Sequence, residues 1–395
     1  MFTRSLARRP VVLALALGLT ASAATIVTAQ AESAPTRLPV WQVTEIKPGD
    51  ALVNSLVAND GRGGALAAGS TWIRDNGEVV GYAPTIFTRD AGNRTWRQEP
   101  LKAAGTWLSL RDVAPVGSGG GVAVGTFDPA LGGFVTAHGT NGVWRTGVAP
   151  APPGVDYGRL EDVDTLSAND MWAVGTVDMF EPPPGTEPQQ PIVTHWDGRT
   201  WTTAALPPPA ALGWTGFDAV KAVAPDDVWV AGHASDGQAP PLAHFNGTAW
   251  KYVALPFEGN SFWAGVTALL SRGPGDVWAL GFMQDAENGE ESALAWHFDG
   301  RSWTRAPVPA GVRITDATLT RTGLAALTMS RDGYAVHRFD GGHWRRLDLP
   351  DSGTELQQPG AIGYANGRLT VAANGWVEGP GAPEHLRTLM FTAAA

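Results

Sequence analysis

Three aspartates stand at one position of a repeated strand: Asp112, Asp162 and Asp316, with Asn54 at the equivalent place and Asp218 one residue earlier. Carboxylates delivered by neighbouring repeats to a common centre could hold a hard cation such as Ca2+ through oxygen ligands. The other reading, which this setting favours, is that each side chain bonds neighbouring backbone. No other cofactor is implied. A second chemistry lies in Trp72, Trp107, Tyr157, Phe180, Trp214, Phe262, Trp263 and Trp376, aromatics out of register with the tryptophans that recur once per repeat. Acidic residues such as Asp75, Glu78, Asp178 and Glu181 fall in the same stretches. Ring faces beside carboxylates hold sugars by stacking and by hydroxyl hydrogen bonds, or they anchor a protein partner. The plainer alternative is a set of polar loops whose aromatics cover sheet ends.

Signatures of catalysis are missing. The chain has no His-Glu-x-x-His, no Gly-x-Ser-x-Gly and no phosphate-binding loop. With no cysteine, thiol nucleophiles, Fe–S clusters and cysteine zinc sites are excluded. His195, His244 and His297 each stand two residues before the Asp or Asn of a hairpin, so they serve the repeat.

The elements that must position these residues recur along the chain. Apolar phrases such as Met171-Trp172-Ala173-Val174-Gly175, Val228-Trp229-Val230-Ala231-Gly232 and Val277-Trp278-Ala279-Leu280-Gly281 read as strands buried on both faces. Each is followed by a strand, an Asp-Gly or Asn-Gly hairpin and a tryptophan strand, as in Trp196-Asp197-Gly198-Arg199-Thr200-Trp201. Proline then ends the ladder. A further strand, such as Leu160–Leu166, precedes the apolar phrase and would line a central channel. Seven such units of about 51 residues predict an all-β fold, a seven-bladed β-propeller of four-stranded antiparallel blades. The last unit lacks its fourth strand. Trp41 begins a matching one near the N-terminus, so residues 39–48 are expected to complete the last blade and close the ring, removing two exposed edges. The propeller would occupy residues 39–395. Trp107, Tyr157, Trp214, Phe262 and Trp263 then fall at connections between units, and Trp72, Phe180 and Trp376 in loops after the apolar strands, all on one face.

Arg4, Arg8 and Arg9 followed by an apolar stretch and Ala29-Gln30-Ala31 read as a secretory signal over residues 1–31, with a short leader over 32–38. The apolar stretch is also near the length of an uncleaved anchor. Removing residues 1–31 leaves 25 basic against 38 acidic residues, a formal charge of −13. That balance argues against nucleic acid and anionic membranes as partners. A secreted chain of this length can bury a core without disulfides.

The Asp-Val-Trp-Ala-Val-Gly type of phrase with a Trp-Asp-Gly-x-x-Trp hairpin resembles the repeats of secreted actinobacterial β-propeller proteins, whose function is generally unassigned. The resemblance covers the mature chain and is clearest over Leu160–Pro309. The hairpin is distantly similar to the Asp-box, but Trp96 follows Thr88-Arg89-Asp90-Ala91-Gly92 one residue late, so sialidase chemistry is not carried over. The residues point to a secreted, extracellular, monomeric, non-enzymatic protein that binds a glycan or protein on its aromatic face. Two alternatives stay open: a glycoside hydrolase or lyase with paired carboxylates at the channel mouth, and a structural scaffold of the envelope.

Overall fold

The computed structural model describes residues 40–46, 50–57, 63–92, 95–102, 105–182, 188–207, 214–352, 355–379 and 382–394. All belong to the unit Pro39–Ala395. The expected signal and leader lie outside them, and only the backbone of Trp214 and Trp376 is described.

Among the described residues every regular element is a strand. In chain order they are β1 (Gln42–Glu45), β2 (Ala51–Val57), β3 (Ala65–Asp75), β4 (Glu78–Arg89), β5 (Arg97–Pro100), β6 (Leu110–Val116), β7 (Gly120–Asp128), β8 (Gly133–Thr140), β9 (Val143–Pro150), β10 (Tyr157–Ser167), β11 (Asp170–Asp178), β12 (Gln189–Trp196), β13 (Trp201–Thr203) and β14 (Trp214–Ala224). There follow β15 (Asp227–Ser235), β16 (Leu242–Phe245), β17 (Trp250–Tyr252), β18 (Ser261–Gly273), β19 (Asp276–Asp285), β20 (Glu291–Phe298), β21 (Trp303–Arg305), β22 (Arg313–Leu319), β23 (Leu324–Ser330), β24 (Gly333–Phe339), β25 (Trp344–Asp348), β26 (Glu355–Ala365), β27 (Arg368–Gly379) and β28 (Ala382–Ala394). From β2 onward, successive strands pair antiparallel in meanders of four, and β26, β27 and β28 are joined by β1, with Gln42 opposite Thr392. Two pairs of meanders also touch along an edge, β7 with β10 and β15 with β18.

The apolar phrases are the buried second strands, as their composition requires. Ala173, Val174, Val230, Ala231, Ala279 and Leu280 are fully buried and pack face to face with neighbouring sheets. The three repeat histidines are cemented in place. His244 stacks on Trp229 at 4.1 Å, and both donate or bond to Asp227 Oδ1 at 2.8 Å. The same cluster recurs at Trp172, His195 and Asp170 and at Trp278, His297 and Asp276.

The first strand of every meander lines one cavity of about 710 Å³. Each of these inner strands carries a bulge at the same level: after Val53, Leu110, Leu160, Phe217, Val266, Ile314 and Pro359. In five of the seven, a glycine that ends the apolar phrase (Gly69, Gly125, Gly175, Gly232 and Gly281) answers this bulge. A Cβ on Gly125 would sit 2.1 Å from the Ser109 carbonyl oxygen, and one on Gly175 would sit 1.9 Å from that of Arg159. A bulge sets two consecutive side chains toward one side. It also corrects the register read from sequence: the partner of Asp112, Asp162 and Asp316 in the first meander is Ser55, because Asn54 takes the extra-residue position with Arg111, Glu161 and Asp218. Trp72 and Trp376 were expected in loops. They stand instead on strand extensions, Trp72 opposite Tyr82 and Trp376 opposite Leu386.

Candidate functional site

A cavity of about 420 Å³ brings together Trp72, Trp107 and Tyr157 from three separate stretches, with Tyr82, Arg111, Arg159, Ser70, Ser109 and Thr126. The long hairpin β3–β4 delivers Trp72 and Tyr82. Trp107, in the connection before β6, meets Tyr82 edge-on at 5.0 Å. Its backbone is left-handed, φ 68°, a conformation that bulky side chains rarely adopt. Trp107 and Tyr157 are half exposed, at 52% and 50%. Arg74 lies over Trp72 at 5.3 Å and pairs with Asp50 at 2.8 Å. The aromatic faces therefore stay open on one side and are braced on the other.

Arg111 also lines the central channel, so the two cavities share a wall. Its Nε lies 2.9 Å from Glu161 Oε2, and Arg159 pairs with the other oxygen of the same carboxylate. Burial works against ionisation of Glu161, but the two guanidiniums outweigh it and hold its carboxyl below the usual range.

Deeper in the channel the three aspartates act as stitches between consecutive inner strands. Asp112 Oδ2 accepts from the Val163 amide at 2.9 Å while Oδ1 accepts from Ser55 Oγ. Asp162 Oδ2 accepts from Val220 N at 2.6 Å, and Asp316 Oδ2 from Ile362 N at 2.8 Å. Asn54 Nδ2 donates to the Leu110 carbonyl at 2.7 Å, and Thr267 Oγ1 to that of Ile314 at 3.1 Å, in the same manner. Among the described residues no three His, Asp or Glu side chains form a metal-ligating group. Burial pushes Asp112 up, and burial together with the Asp112 carboxylate pushes Asp162 well above the carboxylate range. Burial, with a smaller contribution from Asp112, pushes Asp316 up to about 7.

Of the other expected aromatics, Phe180, Phe262 and Trp263 stand outside the Trp72 cavity. Phe180 is 83% exposed, its amide bonded to Asp156, and Phe262 is 60% exposed. Trp263 stacks on His233 at 4.6 Å, and His233 Nδ1 lies 2.5 Å from Asp218 Oδ2. Sequence reading passed over Tyr82, Arg111 and Arg159. The strand-end glycines were the signal for the two arginines, since each marks the bulge beside which they stand.

No protein-family model and no curated protein matches the sequence. Among solved structures, the polysaccharide lyase Uly1 is 10% identical, with 89% of this chain and 91% of that one covered at a TM-score of 0.52. That likeness is one of fold. Four-stranded meanders set about one cavity give this chain an all-β, propeller-type architecture. The β-propeller domain of the Trilobed protease from Pyrococcus furiosus is 9% identical, covering 86% and 95% at 0.49, and an α-L-arabinofuranosidase from Fusarium graminearum is 10% identical, covering 89% and 97% at 0.48.

Proposed function

We propose that the protein is a secreted, seven-bladed β-propeller, closed by β1 completing the sheet of β26–β28, that binds an extracellular glycan in the Trp72–Trp107–Tyr157 cavity. The strands that pair in fours and the inner strands that meet on one channel support the blade count. The β1–β28 ladder supports the closure. Secretion rests on the basic and apolar leader ending at Ala31. One observation carries the ligand: four aromatic rings, three serine or threonine hydroxyls and two arginines line a single cavity of about 420 Å³. A sugar presents flat C–H faces to such rings and hydroxyls to such donors and acceptors. A glycan array followed by calorimetry on the best hit tests the reading, with Trp107→Ala and Tyr157→Ala as controls. A blank array beside a specific partner captured from culture supernatant would move the reading to a protein ligand; both blank would sink it.

The carboxyl pair of Asp112 and Asp162 favours a second reading, a glycoside hydrolase or lyase, because burial and the neighbouring carboxylate raise Asp162 well above the usual carboxylate range, as a general acid requires. Against it, all four oxygens of the pair are engaged by Ser55, Val163 and Val220. Release of reducing or unsaturated ends from a polysaccharide, lost in Asp162→Asn, would establish it.

A further inference from the structure

Three seams between successive sheets are filled by Trp172, Trp229 and Trp278 packed on aromatic residues of the next sheet. Trp229 packs on Phe298 at 5.2 Å and Trp303 at 5.3 Å, and Trp172 packs on Phe245 and Trp250 in the same way. The seam between the first sheet and the sheet of β1 and β26–β28 departs from this pattern. Thr370 pairs with Thr392 there, in the register where Trp229 pairs with His244. Arg89, opposite Ala65, holds the place that Phe245 takes opposite Val228. It even keeps the contact with the following tryptophan, lying 5.1 Å over Trp96.

Exchanging Trp, His and Phe for Thr, Thr and Arg leaves a cavity of about 610 Å³, lined also by Gln42, Thr44 and Arg368. No carboxylate stands among its described lining residues. Among the described residues Arg368 reaches Gln42 Oε1, at 3.4 Å. The neighbouring Asp90 is taken by Arg97 at 2.6 Å. Burial first, and the charge of Arg368 second, push the Arg89 guanidinium below its ordinary range. Two cations that face one pocket are mutually repulsive until an anion separates them. The chain as a whole is acidic, at −10, so general anion attraction does not explain the pair.

We infer that this seam cavity is a second binding site, for a tetrahedral oxyanion held between Arg89 and Arg368, either free or as the ester of a monosaccharide. Guanidinium forks match such oxyanions in bidentate fashion, and the Thr44, Thr370 and Thr392 hydroxyls can complete the contacts. The volume suits a ligand larger than the bare ion. Because Gln42 and Arg368 come from one end of the meander order and Arg89 from the other, an occupant would tie the first and last sheets together.

The test is thermal unfolding of the intact protein in sodium sulfate, sodium phosphate or glucose 6-phosphate, each against sodium chloride at matched ionic strength. The expected result is a saturable rise in midpoint with the oxyanions and none with chloride. A tighter response to the sugar ester assigns the ester as ligand, and equal responses assign the free ion. Arg89→Gln with Arg368→Ala should abolish the rise. The double variant in chloride should be no less stable than the parent, since a like-charge contact is gone. If the double variant does not fold, the exposed Arg368→Ala alone must raise the half-saturating concentration at least tenfold. An equal rise in chloride, or an unchanged response in these variants, overturns the site.

Discussion

Asp112 and Asp162 reach from consecutive inner strands to one donor: the Val163 amide lies 2.9 Å from Asp112 Oδ2 and 2.9 Å from Asp162 Oδ1. Two ionised carboxylates on one N–H would repel, so the arrangement stands while one of them is protonated. The channel wall therefore holds protons that an unfolded chain would release.

Stability should for this reason fall as pH rises. An aspartate in the unfolded chain titrates near 4, whereas Asp316 in the folded chain titrates at about 7. Between those values the native state binds the extra proton, so its contribution is present at the acid end and lost as pH rises through about 7. Thermal midpoints at pH 5.5 should exceed those at pH 8. Asp316→Asn, which cannot ionise, should flatten that slope even though it weakens one of the bonds to Ala317 and Ile362. A slope as steep as the parent's would show that Asp316 does not titrate in this range.

Trp107 separates binding from stability. Its left-handed backbone costs about 1 kcal/mol for a non-glycine residue, and its half-exposed ring contributes little burial. Trp107→Gly should leave the unfolding midpoint unchanged or higher while weakening glycan binding roughly tenfold or more, the scale of a lost aromatic platform. Binding retained with a lowered midpoint would make Trp107 a packing residue.

The repeat was legible because burial on both faces demands unbroken apolar runs and because hairpins demand Asp-Gly or Asn-Gly. Asp197 illustrates the second: its carboxylate accepts from the amides of Arg199 and Thr200 at 2.8 and 2.9 Å, which fixes the turn before Trp201. Trp72, Trp107 and Tyr157 could be singled out as off-register, but their convergence could not be read, since it depends on how far β3 and β4 extend as a hairpin. The bulges were hidden for a different reason. An extra residue in a strand leaves no polar or apolar signature of its own, so the one-residue slip of Asn54 against Ser55 passed unseen; only the recurring glycine on the partner strand betrays it.

The Trp229–His244–Asp227 cluster should matter for folding alone. Asp227→Ala removes the acceptor for both the Trp229 indole and the His244 ring. Leaving the donors of the buried Trp229 and the partly buried His244 unpaired costs about 1–3 kcal/mol. The unfolding midpoint should drop, while affinity at the Trp107 cavity stays at the parental value. A matching loss of affinity would mean that the repeat histidines communicate with the site.

Asn374 offers the sharpest test of ring closure. It is 2% exposed, and its amide brackets Val53 on the first inner strand, accepting from Val53 N at 3.1 Å and donating to Val53 O at 2.9 Å. The single proton of Thr388 Oγ1 is shared between the Ala51 carbonyl at 2.6 Å and the same Asn374 oxygen at 2.8 Å. The Asn374–Val53 bonds join residues 321 apart in sequence, so they exist only if the two ends of the chain meet. Asn374→Ala would strand the buried amide and carbonyl of Val53, at a cost of about 2–4 kcal/mol. Asn374→Asp keeps one acceptor and should cost less at low pH, where its carboxyl can donate, than at pH 8. Hydrogen exchange should show the loss of protection first in β1, β2 and β28. Uniform loss across all sheets, or none at all, would argue that the closure is not where the molecule opens.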